Sequence, residues 1–234
     1  MSAASKCQWH LDAAGAPLGV SRYGRAMRKR LSRAESQART RADLIASATG
    51  LFLANGYVAT SNNQVAEAAG YSRGAVYSNF ASKEELALAV LDRHTAEEFD
   101  AVRAALGSGS IEDRFDAFES WLVTAAGDPR WALLKSEMAL AARTSPTLRA
   151  QLAAHDAAAR DTVSGLITQL IDDSGLAVPI EPHTLARLVL ALGKGVAIEG
   201  IIEPDQPMQW LRDLLATLRP WVRILVEFPP DTRA

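Results

Sequence analysis

Histidine, cysteine and glycine are the residue types in this chain that could form a metal or catalytic site, and their spacing favours neither. The single cysteine, Cys7, excludes an internal disulfide and a cysteine-clustered zinc site. Gly193-Lys194-Gly195 begins like a phosphate-binding loop, but Ile198 replaces the expected glycine, so we interpret these glycines as a close contact between helices. The histidines show no helical metal-ligand spacing; they are His10, His94, His155 and His183. We therefore expect no catalytic residues, no metal site and no cofactor.

Residues 61–80 have the spacing of a helix-turn-helix. Ser61, with Gln64 three residues later, predicts the start of one short helix. Gly70 permits a tight turn, Tyr71 anchors it, and Ser72 caps a second short helix. The predicted shared apolar face consists of Val65, Ala66, Ala69 and Val76. Such a pair is too small to be stable alone, so the helix predicted before it and the long helix predicted after Ser82 must complete its core.

Three runs of residues in this region match a known pattern: GYVATS at 56–61, VAEAAGYSRGAVYSNF at 65–80 and SKEEL at 82–86. Together they resemble the N-terminal domain of the tetracycline-repressor (TetR) family, over roughly residues 38–98. The rest of the chain resembles the family only in helix order. The resemblance implies a homodimeric, ligand-responsive transcriptional regulator, usually a repressor, that binds a palindromic operator in double-stranded DNA.

The second helix of the motif, predicted over residues 72–79, would then lie in the major groove. Arg73 suits guanine or a phosphate, and Gly74 allows close approach of the backbone. Ala75 replaces the hydroxyl residue common in the family and cannot hydrogen-bond through its side chain. The predicted DNA-contacting residues are Ser61, Asn62, Asn63, Ser72, Arg73, Gly74, Ala75, Tyr77, Ser78, Asn79 and Lys83. The alternatives are that Ser61 and Ser82 are only caps, Tyr77 and Phe80 are core aromatics, and Arg73 is a solvated surface charge.

Apolar periodicity predicts an all-α protein of nine helices. The predicted spans are 38–54, 62–69, 72–79, 83–106, 111–126, 129–143, 146–173, 184–202 and 208–226. Asn55-Gly56 and Gly107-Ser108-Gly109 mark two helix ends, and Asp128-Pro129 and Ser145-Pro146 mark two helix starts. We assign residues 1–37 to a disordered basic arm, 38–98 to a DNA-binding domain and 99–234 to a ligand-binding and dimerisation domain.

The net charge of -2, from 25 basic and 27 acidic residues among 234, hides an uneven distribution. Residues 1–35 carry seven positive and two negative charges, whereas residues 96–234 are acidic on balance. The basic arm could bind phosphates or be a solvated tail, and Met27 offers an alternative start that would remove residues 1–26. Since no apolar run is long enough for a membrane helix or signal peptide, we expect a soluble, cytoplasmic protein with no membrane partner.

The C-terminal part supplies candidate residues for a sensor and a dimer interface. A pocket for an apolar or aromatic effector would use Phe99, Phe115, Phe118, Trp121, Trp131 and Met138. A dimer interface would use Leu185, Leu188, Val189, Leu192, Val196, Trp210, Leu211, Leu214, Leu218 and Trp221. A plain helical core is the alternative for both sets.

Two rival functions remain at this point. The first is a TetR-like activator or ligand-independent regulator, which would share every residue argued above. The second is a small-molecule-binding or catalytic helical bundle in which the helix-turn-helix is incidental.

Overall fold

The computed structural model describes residues 32–107, 109–125, 128–174, 178–202 and a few positions between 212 and 220. These residues form an all-α fold with no strand, as predicted. Eight helices are bounded: α1 Arg33–Asn55, α2 Asn62–Ala68, α3 Arg73–Asn79, α4 Lys83–Leu106, α5 Ile111–Ala125, α6 Pro129–Ala141, α7 Pro146–Ser174 and α8 Pro182–Ile202. Residues 212, 213 and 215–217, within the predicted ninth helix, are also helical. No described helix is long and apolar enough to cross a bilayer.

The first helix begins at Arg33, five residues before the predicted start at 38. Ser32 and Glu35 cap it reciprocally: the Glu35 N–H donates to Ser32 Oγ at 3.1 Å, and the Ser32 N–H donates to Glu35 Oε2 at 2.6 Å. The spacing of Ser32 and Glu35, three residues apart, is that of a capping box. The surrounding basic residues led us to assign it to the arm, most of which lies outside the described residues.

Glycines at two helix ends have the left-handed backbone that the sequence predicts for them. Gly56, after α1, has φ +86°, and Gly70, between α2 and α3, has φ +72°. The predicted serine caps are also present, since Ser61, Ser72 and Ser82 each accept an N–H at the start of α2, α3 and α4. Local chain direction in the helix-turn-helix is therefore set by residues within it.

The larger apolar core joins the helix-turn-helix to helices far along the chain. Leu44, Phe52, Val76 and Phe80 are buried in it, which confirms Phe80 as a core aromatic. The same cluster contains residues of α6 and α7: Leu134, Met138, Leu148 and Leu152. The first four helices, α6 and the first part of α7 therefore share one continuous core.

A second, smaller core lies between α4, α5, α7 and α8. Its buried members are Phe99, Ala159, Val163 and Ala186, with Trp121, Ile167 and Leu190 packed against them. Among the described residues, the close helix contact expected at Gly193 and Gly195 is not found, because a Cβ on either would meet no described atom within 4 Å. Gly193 instead lies on the wall of a cavity beside this core.

Two leucines on α6 give a matched test of the shared core. Leu134 is 1% exposed and Leu140 is 63% exposed. We expect Leu134→Ala to lower the free energy of unfolding by about 2–5 kcal/mol, because it removes buried methyl groups and leaves a cavity. Leu140→Ala should change it by less than about 0.5 kcal/mol. Urea unfolding followed by circular dichroism at one protein concentration measures both, and equal effects would contradict the assignment of Leu134 to the core.

Candidate functional site

Helix α3 presents a polar face to solvent and an apolar face to the core. Arg73, Gly74, Tyr77 and Ser78 are exposed, whereas Val76 is fully buried. Tyr77 is 54% exposed, so the structure favours a surface position for it over the alternative of a core aromatic. Ala75 and Asn79 are half-buried at the edges of this face. The exposed residues form a contiguous surface one helix wide, a shape that fits a DNA major groove.

Helix α1 fixes the position of α3 through polar side chains near both of its ends. Arg41 donates to the carbonyl oxygen of Asn79 at 2.6 Å, and its guanidinium carbon lies 4.1 Å from the centroid of the Phe80 ring. Before α3, the Tyr71 hydroxyl donates to Asp43 Oδ2 at 2.8 Å. We did not identify Arg41 or Asp43 from the sequence. Charged residues are common on a helix surface, so nothing marks these two as contacts of α3 until the position of α3 is known.

Several predicted contact residues are engaged within the motif itself. Ser61 Oγ accepts the Gln64 N–H at 3.3 Å, and Ser72 Oγ accepts the Ala75 N–H at 3.3 Å. Ser78 and Asn79 both donate side-chain hydrogen bonds to the carbonyl oxygen of Ala75, at 3.0 and 2.8 Å. Asn62 is half-buried and Asn63 is exposed at the start of α2. Ser61 and Ser72 therefore act as helix caps in the free protein.

Lys83, at the start of α4, is held against the turn that precedes α2. Its ammonium donates to the Val58 carbonyl oxygen at 3.2 Å and lies 4.4 Å from the centroid of the Tyr57 ring. Burial lowers the pKa of Lys83, whereas burial and the neighbouring Glu84 raise the pKa of Tyr57 to about 12. One of the three ammonium donors is therefore used internally.

Glu137 on α6 contacts the same turn from the other side. Its Oε2 accepts the Val58 N–H at 3.1 Å. Its carboxylate also fills the space beside Gly56, where an added Cβ would lie 2.7 Å from Oε1. The turn between α1 and α2 is thus bonded to both α4 and α6.

A partly open cavity of about 140 Å³ lies among α4, α5, α6, α7 and α8. Of the predicted pocket residues, Phe99, Trp121 and Trp131 line it. Met138 does not line the cavity and is instead fully buried in the larger core, further along α6 than the cavity-lining residues. The side chains of Phe115 and Phe118 lie outside the described residues. Polar residues also line the cavity, and no local sequence pattern predicts them there; they are His94, Thr95, Glu98, Asp128, Lys135, His155 and Lys194.

Several ionisable groups at the cavity have pKa values shifted from those of exposed side chains. Burial raises the pKa of Glu98 to about 7, against the opposing field of Lys135. Burial also lowers the pKa of His94, whose ring stacks on Trp131 with centroids 3.6 Å apart. Lys135 and Lys194 both pair with Asp156. Although burial alone would raise the pKa of Asp156, the two ammonium groups bring it below its usual value.

The predicted dimer residues on α8 divide between two faces. Leu188 and Leu192 are exposed, and Leu185 is half-buried. Val189 lines the cavity and Val196 is buried, because both lie on the side of α8 that packs against the bundle. The remaining predicted positions lie outside the described residues: Trp210, Leu211, Leu214, Leu218 and Trp221.

Two family models match separate parts of the chain. Residues 44–90 match the model for bacterial regulatory proteins of the tetR family, and residues 109–221 match that for tetracyclin repressor-like C-terminal domains. The first match covers the helix-turn-helix and its supporting helices, and the second covers most of the cavity-forming helices.

Curated relatives and solved structures agree with these matches. The chain is 32% identical over 206 residues to the HTH-type transcriptional activator FasR of Mycolicibacterium smegmatis, covering 84% of this chain and 80% of FasR. It is 27% identical to the HTH-type transcriptional repressor AcnR of Corynebacterium glutamicum, covering 70% of this chain and 87% of AcnR. A putative TetR-family regulator from Rhodococcus sp. has the same fold, with a TM-score of 0.66, 21% identity, and coverage of 78% of this chain and 97% of the other. The chain therefore belongs to the tetR family of bacterial regulatory proteins and is a DNA-binding transcriptional regulator.

Proposed function

We propose that the protein binds a palindromic operator as a homodimer and that a small molecule in the cavity lowers its affinity for DNA. The observation that carries the DNA-binding part is the exposed face of α3, with Arg73 and Tyr77 projecting from a helix fixed by Arg41 and Tyr71. Because these contacts hold α3 in one orientation before it binds, less conformational entropy is lost when it enters a groove.

Each predicted contact residue has a role in this proposal. Arg73 and Ser78 bond to base edges or phosphates, Tyr77 packs on the backbone, and Gly74 and Ala75 let α3 approach closely. Asn79 contributes at the end of the helix. Ser61, Asn62, Asn63, Ser72 and Lys83 lie at the edges of the motif, where a phosphate backbone would pass. Lys83 retains donors for a phosphate while it holds the Val58 carbonyl.

An exposed apolar face on α8 supports the dimer. Leu188, Leu192 and Ile202 are exposed, and they recur at helical spacing along one side. Such a row on a single subunit is typical of a self-complementary interface. Two-fold symmetry would then place the two α3 helices at half-sites about one helical turn, ~34 Å, apart or more.

Two helices connect the cavity to the DNA-binding motif, and this supports coupling between the sites. Trp131 and Lys135 of α6 line the cavity, while Leu134 and Glu137 of the same helix contact the larger core and the turn before α2. Helix α4 lines the cavity with His94 and begins at Lys83. A ligand that binds more tightly to another arrangement of α4 and α6 would change the spacing of the two α3 helices. The loss of DNA-binding free energy cannot exceed the difference in the ligand's binding free energy between the two arrangements.

Whether the protein represses or activates depends on where the operator lies. FasR is named an activator and AcnR a repressor, so similarity to these relatives does not distinguish activation of transcription from repression. We propose repression, in which an operator overlapping a promoter blocks transcription. A promoter–reporter fusion with and without the regulator tests this directly, and higher expression with the regulator present would contradict it.

Arg73 and Tyr77 give the first test of the DNA-binding surface. We expect Arg73→Ala and Tyr77→Ala each to weaken binding to an operator selected from random DNA by about 5- to 150-fold, because each removes a contact made at the groove. Arg143→Ala, at an exposed arginine on the turn after α6, is the matched control and should leave the affinity unchanged. Gel-shift titration at one fixed salt concentration makes the measurement. An Arg73→Ala protein that binds as tightly as the control would refute the proposed surface.

The exposed leucines of α8 give a test of the dimer. We expect the double variant Leu188→Lys and Leu192→Lys to sediment as a monomer, because like charges would face one another across a two-fold axis. Leu140→Lys places the same charge on an exposed leucine of α6 and should remain dimeric. Analytical ultracentrifugation distinguishes these states. A double variant that remains dimeric would place the interface elsewhere.

A further inference from the structure

Two lysines share one carboxylate at the polar side of the cavity. Lys135 and Lys194 both line the cavity, and both form ion pairs with Asp156, Lys135 with Oδ1 and Lys194 with Oδ2 at 3.2 Å. Two positive charges therefore face one negative charge, and this cluster keeps a net charge of +1.

The other charged groups at the cavity largely compensate one another. Asp128 pairs with Arg130 at 2.7 Å, and His155 contacts Asp92 at 2.7 Å. Glu98 remains, and burial raises its pKa to about 7, which favours its uncharged form relative to an exposed carboxyl group. Its neighbour His94, whose Nε2 lies 3.4 Å from Glu98 Oε1, has a pKa lowered by burial and adds little charge. The positive charge of the lysine cluster is thus only partly offset.

Aromatic residues line the same cavity. Phe99, Trp121 and the Trp131 ring, stacked on His94, line it together with aliphatic residues of α4 and α8. The volume of about 140 Å³ suits one aromatic ring, since a cavity of roughly 150 Å³ in another protein accommodates benzene.

From this juxtaposition we infer that the effector is a compact aromatic monocarboxylate, with its carboxylate on Lys135 and Lys194 and its ring against Phe99, Trp121 and Trp131. The inference rests on the proposed function in taking this cavity as the effector site. Lys194 is half exposed and can turn from Asp156 toward a ligand without leaving a buried charge unpaired. The protonated form of Glu98 can donate a hydrogen bond to a ligand carboxylate. A cationic ligand at Glu98 would instead be repelled by Lys135.

A matched ligand series tests the charge. Calorimetric titration of the full chain with benzoate, phenylacetate and hydrocinnamate, each beside its amide and its amine, compares three charges on the same ring. We expect at least one of the carboxylates to bind, and to bind about tenfold or more tightly than its amide and its amine. If an amide or amine binds as tightly as its carboxylate, or if no carboxylate binds, the inference is wrong and the DNA-binding proposal is unaffected.

Variants of the lysine cluster separate ligand binding from a purely structural role. Lys135→Met and Lys194→Met should each weaken carboxylate binding by about tenfold and leave amide binding unchanged. Asp156→Asn removes the competing anion and should preserve or strengthen carboxylate binding. A salt-bridge cluster that only supports the fold predicts the reverse, with Asp156→Asn losing binding together with thermal stability. Arg143→Met is the matched control for charge removal away from the cavity.

The pH dependence supplies a second readout. The charged groups that line the cavity with Glu98 are His94 on its own helix, Asp128 just before α6, Lys135 on α6, His155 on α7 and Lys194 on α8. Asp156 on α7 pairs with both lysines. A bound carboxylate favours protonated Glu98, so its affinity should fall as pH rises through about 7. Glu98→Gln should remove that fall and keep binding at low pH. A carboxylate affinity that is equally pH-dependent in Glu98→Gln would exclude Glu98 from the site.

DNA release is measured separately. A carboxylate that binds in the calorimeter and dissociates the operator complex supports both proposals. If it binds with the predicted variant pattern and leaves the operator complex intact, the ligand class holds and the proposed coupling fails.

Discussion

A helix of seven residues is too short to persist in water, and the DNA-binding surface depends on how this protein compensates for that. Helix α3 buries only Val76 fully and places its polar residues outward. Its orientation is therefore set by neighbours: the Arg41 bond to the Asn79 carbonyl, the Tyr71–Asp43 hydrogen bond, and the ring of Phe80 beneath the Arg41 guanidinium. Without α1 the polar face of α3 would have no defined direction.

The same dependence continues along the chain. The core that supports α1 to α4 includes Leu134 and Met138 of α6, and the turn at Gly56 is closed by Glu137 of that helix. Helix α6 therefore contributes both to the core that supports the DNA-binding motif and to the wall of the cavity, and Trp131 belongs to both. Packed interiors shift between discrete arrangements and deform little, so in the proposed mechanism a displacement of α6 at the cavity would reach the motif.

Local signals were the ones that could be predicted from the sequence. The caps at Ser61, Ser72 and Ser82, the left-handed glycines at 56 and 70, and the buried Phe80 all follow from short-range rules. Contacts between distant residues could not be predicted. No local pattern marks Arg41 or Glu137 as a contact residue. The sequence places Met138 in the pocket, but a methionine suits a pocket wall and a helical core equally well, and the structure has it in the larger core. The close approach expected at Gly193 does not occur with any residue in the described part of the chain, since a glycine can equally leave space for a cavity.

The His94–Trp131 stack gives the molecule an internal optical reporter. The imidazole belongs to α4 and the indole to α6, and their ring centroids are 3.6 Å apart with the rings almost parallel. Indole emission is sensitive to a ring in contact with it, so the fluorescence of Trp131 varies with the distance between these two helices. In a variant that keeps Trp131 and replaces the other four tryptophans, emission would therefore report relative motion of α4 and α6 without an added label.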